Sequence, residues 1–422
     1  MHYDFPHRIT LDEVRAAIAR QNAALGTNVF IEADRGDHVI FNYIISFDGI
    51  FPFPNTDDAA LNREYAILRE CRGLTFHKAS GRIVARKYAK FFNVAEKAET
   101  QINVIDWTTP HLVLEKLDGS MITPVYLGDD LEDIGPEELR WCTKMGITDV
   151  AGPVEQWVSR PENFHYARWA AMYIYNGYTP IFEWCSRKQK IVIDYPEDRL
   201  VLTAIRNNTT GEYLSYEKMR GAARSKIEIV HASPSSIENI ETFMRETYGM
   251  EGSEGWVIRF HDGRMYKIKG EWYCQIHKTR DAIQFEKDVI ALIANDMIDD
   301  AKAFMVAEDI ERINRFHEAY ERAVTATGDH INSLVAEIKA KVGDTPKAFA
   351  LEMNSNTYPQ DYVSIMFRVS KGADAAADVR KVIATYAHPT AGTQSRIDAC
   401  RHLFGGLRWE DYRDKSYIQD DG

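Results

Sequence analysis

A lysine at the end of an apolar run is the first feature of this sequence that could perform chemistry. In LEKLDGSM, residues 114–121, Lys116 stands two residues before the pair Asp118 and Gly119. A turn explains the Asp-Gly pair, which is a common hairpin signal, but it does not explain the lysine. The lysine is either solvated at a strand end or held in a pocket, where a neutral amine can act as a nucleophile.

Other charged residues also interrupt apolar strand patterns further along the chain. Glu183 lies within IFEW, and Glu254 precedes the strand-like GWVIRF. A carboxylate in such a strand is costly unless it is paired or faces a cleft. Lys267 and Lys269 alternate with apolar residues in MYKIK, so both ammonium groups face the same side of a strand.

Two upstream segments add cations and aromatic rings. RECRGLTF contains Arg72, and RKYAKFFN contains Lys90 and Phe92. Each residue alone has a structural explanation as a solvated strand lysine, a salt-bridged glutamate or a core aromatic residue. Together they provide what a nucleoside triphosphate requires, namely cations for its oxygens, carboxylates for a metal and an apolar surface for the base.

The pattern of apolar residues predicts two domains. Strand-like segments dominate from about residue 111 to 278, among them KIVIDY, and predicted helices lie at residues 10–21, 60–71, 154–176 and 236–248. After residue 280, apolar residues recur at three-to-four spacing and strand patterns almost vanish. We therefore predict an α+β antiparallel-sheet domain over residues 1–280 and an all-helical domain over residues 281–422.

Composition narrows the function classes. The chain has 422 residues, a net charge of −12 and five scattered cysteines without metal-ligand spacing, which indicates a cytoplasmic protein with reduced thiols. The acidic balance argues against nonspecific coating of nucleic acid but leaves a local basic groove open. The N-terminal segment does not resemble a signal peptide, and no apolar run is long enough to span a bilayer, so we expect no membrane partner.

Four segments in this order resemble the motifs of the covalent nucleotidyltransferases, the superfamily of ATP-dependent ligases and capping enzymes. Residues 116–120 (KLDGS) resemble motif I, IFEW motif III, EGWVIRF motif IV and YKIKGEWY motif V. ECRGLTF, KFFN and the helical C-terminal region are similar to the phage RNA ligase 1 family in particular. The resemblance implies an ATP-grasp-like ligase domain followed by a helical domain.

The same resemblance implies roles for individual residues. Lys116 would attack the α-phosphorus of ATP and carry AMP, while Asp118 and Gly119 shape the turn and Glu115 adjoins the nucleotide. Lys267 and Lys269 would hold the α-phosphate. Further nucleotide contacts are expected from Arg72, Lys90, Phe92, Lys144 and Tyr273, although Met145 interrupts the TKG pattern that the family shows at Lys144.

Carboxylates are expected at a metal. Glu183 would act at the ribose or on the water shell of the metal, and Glu254 would help to bind it. Asp299 and Asp300, in the helical region, match an acidic pair that this branch places near the metal; a helix-surface interpretation is the alternative. The expected ion is Mg²⁺, with Mn²⁺ as a substitute.

The function implied is an ATP-dependent RNA ligase that joins a 5′-phosphate to a 3′-hydroxyl, for example in a nicked tRNA. We expect a monomer in the cytoplasm, that of the host if a phage encodes it. The alternatives are a DNA ligase, a capping guanylyltransferase, or an inactive nucleotide- or RNA-binding module. The helical domain either grips RNA or only supports the catalytic half.

Overall fold

The computed structural model describes residues 4–412 except 45, 46, 48, 190, 225, 234–236, 306, 344, 354–357, 389 and 390. The chain divides into two compact units, Met1–Cys274 and Gln275–Gly422. The first unit combines helices with antiparallel sheets, and the described part of the second is helical. This confirms the predicted fold class. The division falls after residue 274, whereas the change in sequence pattern indicated residue 280.

The first unit contains three four-stranded sheets. Their orders are β1-β2-β3-β4, β10-β9-β7-β8 and β5-β12-β11-β6. The strands are Phe30–Asp34 (β1), His38–Tyr43 (β2), Leu74–His77 (β3), Ile83–Ala85 (β4), Phe92–Asn93 (β5), His111–Glu115 (β6), Ser120–Val125 (β7), Arg140–Cys142 (β8), Tyr178–Cys185 (β9), Arg199–Asn207 (β10), Gly255–Phe260 (β11) and Met265–Lys269 (β12). Apart from the parallel pair β5–β12, the strand pairs are antiparallel.

Helices accompany these sheets. They are Leu11–Leu25 (α1), Ala59–Glu70 (α2), Ala151–Val158 (α3), His165–Tyr175 (α4), Tyr216–Ala223 (α5), Ile240–Tyr248 (α6) and Glu271–Ala282 (α7), of which α7 crosses the division between the units. The helix predicted over residues 154–176 is two helices, and α5 was not predicted. Within the described residues, no helix is long and apolar enough to cross a membrane.

Local sequence sets the start of α1 as predicted, whereas the helix runs to Leu25, beyond the predicted end at Gln21. The Glu13 N–H donates to Thr10 Oγ1 at 3.3 Å, and the Thr10 N–H donates to Glu13 Oε2 at 2.9 Å. This reciprocal pair satisfies amides that have no partner within the helix. The helix ends at Gly26, whose φ of 66° is the left-handed conformation that glycine adopts without strain.

The segment that contains Lys116 is not a hairpin. Strand β6 pairs with β11 and strand β7 pairs with β9, so residues 116–119 carry the chain from one sheet to another. KIVIDY, which was predicted as a strand, has no strand conformation in the described residues. Its Val192 and Ile193 amides donate instead to Asp118 Oδ2, at 2.7 and 2.6 Å. Asp118 therefore replaces a neighbouring strand as the hydrogen-bond partner of this segment.

A buried ion cluster joins separate parts of the first unit. Arg86 and Arg206 both donate to the Glu70 carboxylate, at 3.0 and 2.7 Å, and all three side chains are at most 1% exposed. Burial raises the pKa of Glu70, but the two guanidinium groups outweigh it and hold the pKa below its usual range. Arg86 also donates to the Pro6 carbonyl at 2.8 Å. The cluster thus fixes α2, the segment after β4 and β10 together with the N-terminal segment.

The second unit packs around one long helix. The helices that follow α7 are Glu286–Ala294 (α8), Ile298–Lys302 (α9), Ala307–Val342 (α10), Pro346–Met353 (α11), Gln360–Val369 (α12), Ala375–Tyr386 (α13) and Gln394–Cys400 (α14). Gly328 lies in the middle of α10, where a Cβ would stand 2.8 Å from the Ala376 nitrogen of α13. The glycine therefore permits the close crossing of these two helices.

We predict that Glu70→Gln destabilises the first unit by about 3–5 kcal/mol, because two buried guanidinium groups lose their counter-charge. Urea unfolding followed by tryptophan fluorescence measures this, since seven of the eight tryptophans precede residue 275. The control is Glu64→Gln, which removes the partner of the exposed Arg20 and should cost less than about 1 kcal/mol. Equal losses in the two variants would contradict the role given to Glu70.

Candidate functional site

Three neighbouring strands bring the candidate lysines together. The Lys116 N–H, directly after β6, donates to the Gly255 carbonyl at the start of β11, at 3.0 Å. In the next pair, Gly255 is opposite Lys269 and Val257 is opposite Lys267 on β12. Residues that are opposite each other point to the same face of a sheet. The register therefore gathers three lysines that lie far apart in the sequence.

Glu254 is the carboxylate that these lysines share. Its Oε1 lies 2.7 Å from Lys116 Nζ and 2.9 Å from Lys269 Nζ. The Glu254 side chain is 4% exposed, whereas the two lysine side chains are 21% and 29% exposed. A buried carboxylate thus orients two ammonium groups whose other sides stay open to an incoming anion.

Lys267 experiences an excess of positive charge. Burial, followed by the charges of Lys116, Lys269 and Lys90, lowers the pKa of Lys267 to about 7. Its Nζ lies 5.8 Å from the centroid of the Phe91 ring, within the range of a cation–π contact. An anion that binds here would favour the protonated form of Lys267, because it would supply the missing negative charge.

Glu183 belongs to a different sheet from the three lysines, the β10-β9-β7-β8 sheet. It is on β9, where it is opposite Met121 of β7. Burial raises the pKa of Glu183 to about 7, an effect that the Lys116 charge opposes and the Glu254 charge reinforces. The two carboxylates therefore lie close enough to repel each other, and a cation between them would relieve that repulsion.

Asp118, Gly119 and Tyr273 support the turn that follows Lys116. Besides accepting the two backbone amides from KIVIDY, the buried Asp118 accepts the Tyr273 hydroxyl at 2.6 Å. A Cβ at Gly119 would stand 2.4 Å from the Trp184 carbonyl oxygen, so no larger residue fits where the chain crosses β9. Burial raises the pKa of the Tyr273 phenol, and its ring lies 5.2 Å from Lys269 Nζ. These contacts fix the turn and one lysine.

A second group of cations surrounds Tyr43, which sequence analysis did not select. Lys90 Nζ donates to the Tyr43 hydroxyl at 3.3 Å, and Lys144 Nζ lies 5.5 Å from the ring centroid. Burial raises the pKa of Tyr43, but Lys90, Arg72 and Lys144 together lower it below the usual value. Lys144, which Met145 separates from the glycine of the family pattern, therefore converges with the other two cations. The strand pattern of HVIFNY was the available signal for a tyrosine facing this side.

Buried contacts hold the segment that carries Arg72. Gly73 has a φ of 83°, and a Cβ there would stand 2.7 Å from the Lys144 carbonyl oxygen. Lys87, also missed by sequence analysis, is 2% exposed and donates to the Gly73 carbonyl at 2.8 Å. The Arg72 guanidinium contacts Met121 Sδ at 3.4 Å. The glycine and the buried lysine thus fix the position of the arginine.

Four predicted site residues have other surroundings. Phe92 is 3% exposed, and its ring centroid lies 5.3 Å from both the Lys90 ammonium and the Arg69 guanidinium, so it supports cations from within the core. Asp299 and Asp300 are exposed on α9 of the second unit, where Asp299 pairs with Lys302 at 3.0 Å. Glu115 is half-buried at the end of β6. Their assignments to nucleotide or metal stay predictions.

The carboxylates near the lysines determine whether a divalent cation could bind here. Among the described residues, no three His, Cys, Asp or Glu side chains converge on one point. Glu183 and Glu254 nevertheless suit Mg²⁺, which one or two carboxylates bind together with waters and the phosphates of a substrate. The carboxylates present therefore fit a metal that arrives with a nucleotide. Six cations, Arg72, Lys90, Lys116, Lys144, Lys267 and Lys269, accompany them, and such a site suits a polyphosphate.

Comparisons with known proteins find similarity to RNA ligases. Residues 70–273, just under half of the chain, match the family model described as RNA ligase. A predicted RNA ligase of Thermovibrio ammonificans is 29% identical over 245 residues, which cover 56% of this chain and 58% of that protein. A predicted bifunctional polynucleotide kinase/RNA ligase of Autographa californica nuclear polyhedrosis virus is 23% identical over 270 residues, 58% of this chain and 36% of that protein.

The chain thus spans little more than half of one relative and about a third of the other. Among solved structures, an archaeal ATP-dependent RNA ligase aligns over 66% of this chain and 69% of its own, with a TM-score of 0.42 and 13% identity.

We predict that Lys267→Met stabilises the protein more at about pH 6.5 than at about pH 9.5. The pKa of Lys267 is about 7 in the folded protein and an ordinary 10.5 in the unfolded chain. Between pH 7 and 10.5, the folded protein therefore releases a proton that the unfolded chain keeps. The charged Lys267 lowers the stability of the folded state fully below pH 7, and this loss disappears as the pH rises toward about 10.5. Thermal unfolding at both pH values measures this, and a difference that does not change with pH would contradict the charge crowding at Lys267.

Proposed function

We propose that this chain is an ATP-dependent RNA ligase, a proposal supported by the match of residues 70–273 to the family model described as RNA ligase. The reaction would join an RNA 5′-phosphate to a 3′-hydroxyl through AMP attached to Lys116. Substrates would include broken structured RNAs such as a nicked tRNA. ATP and a divalent cation, Mg²⁺ or Mn²⁺, would be the cofactors.

One observation carries this proposal, namely the shared contact of Lys116 and Lys269 with Glu254, at 2.7 and 2.9 Å. The structural cluster at Glu70 pairs two cations with one carboxylate, whereas here Lys267 adds a third lysine, whose pKa burial and the neighbouring lysines lower to about 7. Such a surplus of positive charge at a half-open cleft is costly without a ligand. A triphosphate supplies the missing negative charge.

In the first step, Lys116 Nζ would attack the α-phosphorus, form an N–P bond, lose a proton and release pyrophosphate. Lys267 and Lys269 would stabilise the charge on the α-phosphate, while Arg72, Lys90 and Lys144 would bind the departing phosphates. A bound divalent cation would neutralise phosphate charge and favour the neutral form of an amine nearby. In-line displacement at phosphorus depends mostly on such positioning and charge neutralisation.

In the second step, a 5′-phosphate oxygen of RNA would attack the same phosphorus, and the N–P bond to Lys116 would break. Lys116 would then regain its proton. In the third step, an RNA 3′-hydroxyl would attack the 5′-phosphate and displace AMP. Glu183 would act at the ribose or on the waters of the metal, with Glu254 as a metal ligand. Asp299 and Asp300 are proposed as further carboxylates for the metal.

We predict that Lys116→Ala abolishes covalent labelling by α-³²P-ATP and Mg²⁺, because the variant lacks the amine that forms the N–P bond. Lys188→Ala, which removes an exposed lysine of the same unit, should label like the wild type. A denaturing gel resolves the labelled protein, and retained label in Lys116→Ala would assign the nucleophile to another residue. Parallel reactions with GTP distinguish a capping enzyme, and RNA against DNA nicks distinguish a DNA ligase.

We predict that Lys269→Ala slows AMP attachment by about 10²–10³-fold without unfolding the protein, a loss typical of one removed group that stabilises developing charge. In addition, Glu254 would then pair with Lys116 alone and hold it more firmly as an ammonium. Single-turnover labelling measures the rate, and circular dichroism checks the fold. A rate within about threefold of the wild type would exclude Lys269 from phosphate stabilisation.

A further inference from the structure

A stripe of aromatic and apolar side chains follows the outer face of α4. The inner face of this helix packs, through Tyr166 and Ala170, in the same core cluster as Phe182 and Trp184 of β9. On the outer face, Met172 and Tyr175 are 51% and 54% exposed. Beside them the half-buried rings of Trp169 and Tyr173 contact each other at an angle of 39°, with centroids 4.5 Å apart. Single exposed apolar residues are ordinary on a surface, whereas these four side chains lie on neighbouring turns of one helix.

Helix α5 and the segment after it border this stripe. Trp169 Nε1 donates to the Ala222 carbonyl at 3.0 Å, and the His165 ring pairs with the Lys226 carbonyl at 2.7 Å. The charge of Arg224 acts on the Tyr173 hydroxyl. These contacts join the aromatic stripe to a row of cations, and we call the two together the α4–α5 patch. Its exposed cations are Arg168, Lys218, Arg220, Arg224 and Lys226.

The patch cations form a local group in a chain whose net charge is −12. Some other exposed cations of the first unit, such as Arg15, Arg20 and Lys78, pair with a carboxylate. Of the described carboxylates, none lies within 4 Å of a side-chain nitrogen of the five patch cations. Two glutamates neighbour them in the sequence, Glu217 and Glu228, and Glu228 is bonded to Arg199. The patch is therefore a local region of uncompensated positive charge.

We propose that the α4–α5 patch binds single-stranded RNA, with the cations on its phosphates and the exposed aromatic rings against its bases. Aromatic rings combined with unpaired cations are the features by which proteins bind single-stranded nucleic acid. An acidic peptide would pair with the cations but would not need the aromatic rings. The inference rests on the proposed ligase function, since that function supplies the RNA.

The patch lies away from the candidate catalytic residues. Along β9, Phe182 and Trp184 face the helices, so Glu183 between them faces the opposite side of the sheet. The patch would therefore hold the body of the RNA rather than the ends that react. Its loss should weaken RNA binding and sealing but leave the attachment of AMP to Lys116 unchanged, because that step needs no RNA.

The test uses the full chain with Arg168, Arg224 and Lys226 changed together to Ser. Fluorescence anisotropy with a labelled single-stranded RNA over a range of salt concentrations should show weaker binding. The slope of log affinity against log salt should fall by about 2, since each lost phosphate contact contributes about 0.7. Tyr175→Ala should weaken binding about tenfold, whereas Tyr175→Phe, which keeps the ring, should not.

The matched control changes Arg20, Arg35 and Lys78 to Ser, which removes the same charge from exposed positions around α1 and the β1–β4 sheet. This control should bind RNA like the wild type. Unchanged RNA affinity and salt slope in the patch variant would overturn the proposal. So would a loss confined to binding of vesicles that contain anionic lipid, which would assign the patch to a membrane surface. A wild-type protein that takes no label from ATP would instead reject the ligase function itself.

Discussion

A single buried carboxylate, that of Glu254, lets two lysines approach each other at the edge of an open cleft. Without it, Lys116 and Lys269 would repel each other, and burial together with the charges of these two lysines already lowers the pKa of Lys267. The backbone next to Glu254 must adopt a conformation that allows this contact. Gly255 has a φ of 131°, and a Cβ there would stand 2.1 Å from the Ile268 carbonyl oxygen, so only glycine lets β11 start directly after Glu254.

The cations that surround Tyr43 depend on a different kind of support. Arg72 follows α2, and Lys90 lies between β4 and β5, in segments without regular strand pairing of their own. Glu70 holds both segments in place, because it binds Arg86 and Arg206 within the core. Lys87 also donates a hydrogen bond to the Gly73 carbonyl. Buried polar groups are costly unless they are fully paired, and here the pairing fixes where the exposed cations stand. The cations around Tyr43 are thus attached to backbone segments that buried ion pairs and hydrogen bonds hold in place.

The distribution of charge separates the two roles that we assign to the first unit. An acidic surface disfavours nonspecific binding to nucleic acid, so unpaired cations mark particular sites. One such group lies in the cleft with carboxylates among it, which suits a nucleotide and a metal. Another lies on α4 and α5 with aromatic rings and few carboxylates, which suits an RNA strand. The two groups use the same residue types, and only their neighbours distinguish them.

The sequence by itself determined the fold class, the ordered set of motifs and the identity of Lys116, Glu183, Glu254, Lys267 and Lys269, because strand alternation and unusual charges in apolar runs are local signals. The start of α1 followed from its capping box for the same reason, whereas its end lies at Leu25 instead of the predicted Gln21. Tertiary structure decided the rest. The structure shows that residues 116–119 link two sheets, that KIVIDY bonds to Asp118 instead of a strand, and that Lys90 and Lys144 approach Tyr43. These contacts join residues some 50 to 150 positions apart in the chain. Local patterns cannot specify such pairings, because they arise only when the sheets assemble.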